Sequence, residues 1–213
     1  MPSVLSPIGT LADQFIPARG PLTSPRVRDG LLILAGTLLM TLLARISLPL
    51  PFTPVPITGQ TLGVILIGAL YGPRLGALTL LAYLAEGLLG MPVFSMGTNA
   101  WSASRIPGLP VIFGPTAGYL IAFPLAAGLV GRFAHRGWDR RVVTAIPAMF
   151  VGELTILVLG FVWLVAATTL LTGRADIGAL LGAAVLPFLP GTVVKITLAA
   201  IALPGGWRLL SDR

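Results

Sequence analysis

Six runs of apolar residues, at 31–46, 57–71, 74–89, 114–133, 142–171 and 177–203, dominate this chain and carry few charges. Wound as helices at ~1.5 Å per residue, runs of roughly 20 residues match the ~30 Å hydrocarbon layer of a bilayer. In lipid every backbone N–H and C=O needs a partner inside the protein, and a helix supplies it within one segment. The runs therefore predict an all-α integral membrane protein, a six-transmembrane-helix bundle. With 55% hydrophobic and 10% charged residues among 213, and a mean hydropathy of +0.94, the chain lacks the polar surface of a water-soluble domain. Residues 1–30, rich in Pro, Ser and Arg and without an apolar h-region, read as a flexible tail with no secretory signal. The membrane domain is expected over 31–205 and a short second tail over 206–213.

Proline and glycine punctuate the runs. Pro49, Pro51, Pro54 and Pro56 follow the first run and remove four backbone donors, which predicts an ordered extended loop. Gly72-Pro73 predicts a tight turn between the second and third runs. The long connection 91–113 contains Asn99, Trp101 and Arg105. The last run is broken by Pro187 and Pro190, so 177–186 reads as a short interfacial helix and 187–203 as the spanning part.

Even-numbered spans put both termini on one side. That side would carry Arg19, Arg26, Arg28, Arg74, Arg132, Arg136, Arg140, Arg141, Arg208 and Arg213, against Arg45, Arg105 and Arg174 on the other. Ten against three makes the termini cytoplasmic by the positive-inside rule. The formal charge of +7 thus reads as membrane orientation rather than a nucleic-acid footprint, and the Pro-rich loop and 91–113 face outward.

The chain has no cysteine and one histidine, His135, which excludes disulfides, thiolate metal sites and a His-based metal cluster. Lys195 is the most informative residue, because an ammonium group within a span must face polar partners in the interior. Thr192 lies at i−3 on the same face. Arg105 can clamp a carboxylate and Asn99 offers a donor and an acceptor. Glu86, near the outer end of the third span, is close in depth to these groups. Glu153 reads as far from them, with a structural or partner-facing role, and Arg45 either pairs with Glu86 or snorkels. The set describes an outward site for a small, partly apolar anion.

The segment Leu48-Pro-Leu-Pro-Phe-Thr-Pro-Val-Pro-Ile-Thr-Gly-Gln-Thr61 closely resembles the first outer loop of BioY proteins, the biotin-specific S components of energy-coupling factor (ECF) transporters. Leu88-Leu-Gly-Met-Pro-Val-Phe94, Phe113-Gly-Pro-Thr-Ala-Gly-Tyr-Leu-Ile-Ala-Phe-Pro124 and Pro187-Phe-Leu-Pro-Gly-Thr-Val-Val-Lys195 match in the family's order. The resemblance implies six helices with biotin held in the outer half of the bundle, and a binding lysine at Lys195. The family's Pro-Gly-Asp-x-x-Lys pattern has Thr192 in place of its aspartate. Asn99 and Arg105 match the family's ligand-binding asparagine and arginine. It also implies assembly with a transmembrane coupling subunit and two cytoplasmic ATPase subunits, met through small residues of the first helix such as Ala35, Gly36, Thr37, Thr41 and Ala44. No Gly-x-x-x-x-Gly-Lys-Ser/Thr occurs, so ATP would act only through those partners and the chain itself needs no cofactor. The competing readings are an S component for thiamin or riboflavin, a membrane-embedded transferase, and a structural subunit without a ligand. Seven scattered acidic residues with no paired motif argue against the transferase.

Overall fold

The computed structural model describes residues 9–16 and 24–211. Its helices are α1 (Leu11–Phe15), α2 (Pro25–Arg45), α3 (Gln60–Leu88), α4 (Ala117–His135), α5 (Val142–Thr172), α6 (Ile177–Ala184) and α7 (Leu189–Ser211). Strands β1 (Ser47–Leu48) and β2 (Ile57–Thr58) pair antiparallel with Ser47 opposite Thr58, and they close the base of the Pro-rich loop. Five stretches are long and apolar enough to cross a bilayer among the described residues. One of them is folded double, so the apolar helices number five to six.

The folded element is α3. Gly72 has φ 80° and ψ −178°, a backbone region that is essentially glycine-only, and Pro73 restarts the helix beyond it. A Cβ on Gly76 would lie 3.1 Å from the Cα of Gly68, whereas a straight helix would separate the two by about 12 Å. Gln60 Nε2 likewise donates to Tyr83 Oη at 2.9 Å. Arms 60–71 and 73–88 therefore run side by side, as the Gly-Pro pair predicts.

α4 is the central post, with Ala117, Ala122, Ala126 and Ala127 fully buried. It lies so close to α3 that a Cβ on Gly68 would stand 2.6 Å from the carbonyl oxygen of Ala127, and one on Gly131 would collide with the Gly72-Pro73 backbone. Such close approach is how small residues replace the missing hydrophobic drive between helices in lipid. α5 packs on the other flank of α4, and α7 on α5. α2 lies outermost and leaves Leu31, Leu34, Leu38 and Leu42 exposed. Its buried face carries Gly36, Thr37 and Ala44, and a Cβ on Gly36 would meet Thr79 at 2.5 Å. The small residues expected at a partner contact are thus largely turned into the chain's own core, leaving Ala35 exposed and Thr41 partly buried.

Both tails differ from expectation. α2 begins at Pro25, where Ser24 Oγ accepts from Val27 N at 3.4 Å. Within the supposed flexible segment, α1 docks against α3 and α7, with Leu11 only 2% exposed in a cluster with Ile65, Leu203 and Trp207. Thr10 and Asp13 form a capping box. Arg28, 9% exposed, donates to the Ile16 carbonyl at 2.6 Å and pairs with Asp13 at 2.7 Å. A five-residue helix has no periodicity to announce it; burial of Leu11 and the capping box hold it instead. At the other end α7 continues to Ser211, and buried Trp207 donates to Asp139 Oδ2 at 2.7 Å beneath the Arg140 guanidinium. Residues 1–8, 17–23 and 212–213, which complete the expected tails, lie outside the described residues.

Burial pushes the Asp13 carboxyl up, but hydrogen bonds from the Thr10 N–H and hydroxyl, together with Arg28, outweigh it and hold the group below 3.8. A depressed carboxylate contributes stability above its unfolded pKa and loses it as pH falls through the folded one. Hydrogen-exchange protection at 11–16 should therefore fall on acidification below about pH 4, while Asp13→Asn should show weak protection already at pH 7 with little further loss. Equal protection in both proteins at pH 7 would mean that α1 is held by Leu11 alone.

Candidate ligand-binding site

At the end of the bundle away from the Gly72 turn, two loops are lashed over the helices. The Pro-rich loop is braced internally by Thr53, whose Oγ1 donates to Val55 O at 3.1 Å and accepts from Val55 N at 3.2 Å. Arg105 ties it to the second loop, Nη1 donating to Leu50 O at 2.9 Å and Thr53 O at 2.8 Å. The second loop is held in turn by Arg45, Trp101 and Tyr83, which donate to the carbonyls of Pro92 (2.7 Å), Leu88 (2.8 Å) and Val93 (2.7 Å). Arg45 therefore forms no ion pair with Glu86 among the described residues; its guanidinium anchors a loop.

Beneath the loops lies a cavity of about 290 Å³, near the lower end of the ~300–1,000 Å³ typical of small-molecule sites. Pro54, Val55 and Arg105 contribute from the loops, while Phe94, Tyr119, Phe123, Ile156 and Phe188 supply apolar walls. Tyr119 is fixed by donating to Ala184 O at 3.0 Å, and its ring lies 6.3 Å from that of Phe188. The polar lining includes Thr61, Glu153, Thr192 and Lys195. Lys195, six residues into α7 and so ~9 Å along it, donates from Nζ to Thr61 Oγ1 at 2.8 Å. The Glu153 carboxyl lines the same cavity and forms no ion pair with Lys195 among the described residues.

Lys195, Thr192 and Arg105 are thus brought to one cavity. Asn99 and Glu86 are not. The Asn99 Oδ1 accepts from Trp101 N, Ser102 N and Ser102 Oγ at 2.9, 2.9 and 3.1 Å, and its Nδ2 donates to Gly90 O at 2.9 Å. Both ends of its amide are engaged in shaping the loop. Glu86 is displaced by helical phase: Leu80, Tyr83 and Gly87 occupy the inward stripe, leaving position 86 partly exposed on the flank.

Glu153 is the residue that sequence reasoning misplaced. Twelfth of the 31 residues of α5, it is 2% exposed and lines the cavity. The signal was present, since an ionisable group inside a span is functional by default, as argued for Lys195. Thr61 was also passed over; as an uncharged residue at a helix start it gave no sign that it would meet α7. Among the described residues no three His, Cys, Asp or Glu gather as metal ligands.

A mostly apolar cavity beneath two loops, with a cation inside and a guanidinium at its cover, defines a membrane-embedded binding protein for a small amphiphilic solute. The BioY family model matches residues 17–212, and the chain belongs to the BioY family. The biotin transporter BioY of Rhizobium etli is 32% identical over 174 residues, covering 77% of this chain and 86% of the relative. The probable biotin transporter BioY of Pyrococcus horikoshii is 39% identical over 148 residues, covering 70% and 78%. A crystal structure of the S-component for biotin from an ECF-type ABC transporter superposes with a TM-score of 0.67 at 25% identity, covering 84% of this chain and 90% of that one.

Asn99→Ala should leave the helices intact and loosen 99–113, because it removes four hydrogen bonds made by the Asn99 side chain, each worth ~0.5–1.5 kcal/mol. Hydrogen exchange confined to that loop should accelerate at least tenfold; unchanged exchange there would show that the Asn99 amide does not organise it.

Proposed function

We propose that this chain is the biotin-binding S component of an ECF-type vitamin transporter, a capture subunit and not an enzyme. The observation that carries the reading is the Lys195–Thr61 pair inside a covered apolar cavity, in a chain whose family members are named biotin transporters. Biotin combines a carboxylate, an apolar chain and bicycle, and a polar urea. That amphiphilic pattern suits apolar walls with Lys195, Thr192 and Arg105 as polar contacts, Asn99 contributing only by shaping the loop. The relatives and the solved structure described above are biotin proteins by name, which favours biotin over thiamin or riboflavin.

In this reading the folded α3 counts as two spans, giving six, and both termini lie in the cytoplasm of a cell membrane with the Pro-rich loop outside. The distribution of arginines supports that orientation. The membrane domain extends over about 31–205, with the basic termini on the inner side. Uptake is driven by ATP hydrolysis in two cytoplasmic ATPase subunits, transmitted through a transmembrane coupling subunit. The exposed leucine stripe of α2 is free for lipid or for that subunit.

Lys195→Ala and Arg105→Ala should each weaken biotin binding at least tenfold, about 1.4 kcal/mol or more, in calorimetry on detergent-solubilised protein. Arg105→Ala should act mainly by raising the dissociation rate, since it frees the Pro-rich loop. Thr192→Asp should be tolerated and bind at least as tightly. Wild-type affinity in both alanine variants would reject the assignment.

A further inference from the structure

Glu153 is the acid left over once the binding site has been described. Its side chain sits within the apolar bundle, almost wholly buried, and contributes to the cavity lining beside Lys195 and Thr192. Oε1 has no hydrogen-bond partner among the described residues. A carboxylate group has about four acceptor positions, and burying it without partners is costly. A counter-ion for Lys195 would be expected to touch the ammonium group. Here Thr61 receives the lysine's hydrogen bond instead, and the carboxyl retains an oxygen available to whatever fills the cavity. As a carboxylate, the group takes a hydrogen-bond donor as its partner. Since Arg105 lies at the cover and Lys195 and Glu153 on the helices beneath, the charged groups are arranged asymmetrically, with a cation alone at the cover and a cation plus an acid below it.

We propose that Glu153 is a ligand-contacting, specificity-determining residue that accepts an N–H of the ligand's urea, placing the ring beside α5 and α7 and the carboxylate beneath the Pro-rich loop near Arg105. The proposal rests on the biotin reading above and adds the direction in which the molecule enters. A cyclic urea carries two N–H donors flanking one carbonyl, so Lys195 can meet the carbonyl while Glu153 takes an adjacent N–H. A carboxylic acid with an apolar body but no N–H would leave Glu153 unpaired and be rejected.

The test is a cycle of variants and analogues, measured by calorimetry in detergent. Wild type, Glu153→Ala and Glu153→Gln are each titrated with biotin, with the two biotins methylated on one or the other urea nitrogen, and with biotin amide. In wild type at least one methylated analogue should bind tenfold or more weakly than biotin. Glu153→Ala should lose tenfold or more for biotin and bind biotin and that analogue about equally. Glu153→Gln, whose carboxamide keeps shape and an acceptor oxygen, should fall between them. Amidation of the tail should cost the same factor in all three. If the methyl penalty persists undiminished in Glu153→Ala, the carboxyl only supports the lysine and the proposal is overturned. Wild-type affinity for biotin in Glu153→Ala overturns it equally. Wild type that binds no biotin overturns the transport reading itself, a result distinct from either.

Discussion

An ammonium group held among apolar helices has to be met by polar atoms, and the cavity is organised around that requirement. The hydroxyl that meets Lys195 belongs to Thr61, at the start of the first arm of α3. That arm stands where it does because the chain reverses at Gly72 and because Gly68 and Gly131 let α3 and α4 approach almost backbone to backbone. The glycines at the turn end and the lysine near the loop end are therefore parts of one arrangement. Widening the α3–α4 contact would move Thr61 relative to α7 and leave the amine facing hydrocarbon.

The two long loops depend on each other in a similar way. The Pro-rich segment lacks the four N–H groups of Pro49, Pro51, Pro54 and Pro56, so its carbonyls need donors from elsewhere. Arg105 supplies them across more than fifty positions of sequence. Asn99, Trp101 and Tyr83 hold the donor loop in place. The cover over the cavity is thus tied by side-chain donors to backbone carbonyls, and it is pinned to the core through the buried Val55, Val93, Phe94 and Val111.

Much of this was legible in the sequence, for identifiable reasons. Apolar runs of bilayer length reveal helices because lipid leaves no other economical way to satisfy a backbone. Gly72-Pro73 revealed the reversal because that pair encodes a dihedral geometry. Lys195 and Thr192 were placed on one inward face because helical spacing fixes their relation. Residues whose role depends on other segments were harder to read. Asn99 could have faced a ligand or a loop, and only the fold decides where an amide's four hydrogen bonds go. Glu153 was misjudged because depth was counted from one end of an unusually long helix, when its position against Thr61 and Lys195 depends on how α5 passes α3 and α7. The Leu11–Phe15 helix was missed since so short an element has no period, and its docking surface is assembled from three distant helices.

The prolines of the outer loop have one more effect. A segment with four fixed φ angles has already given up much of its conformational entropy before any solute arrives. Ordering it around a guest costs little, which favours tight capture from dilute surroundings. The same stiffness means that the loop does not fray residue by residue. Lifting it breaks both hydrogen bonds from Arg105, to Leu50 and Thr53, together, so the loop moves as one piece.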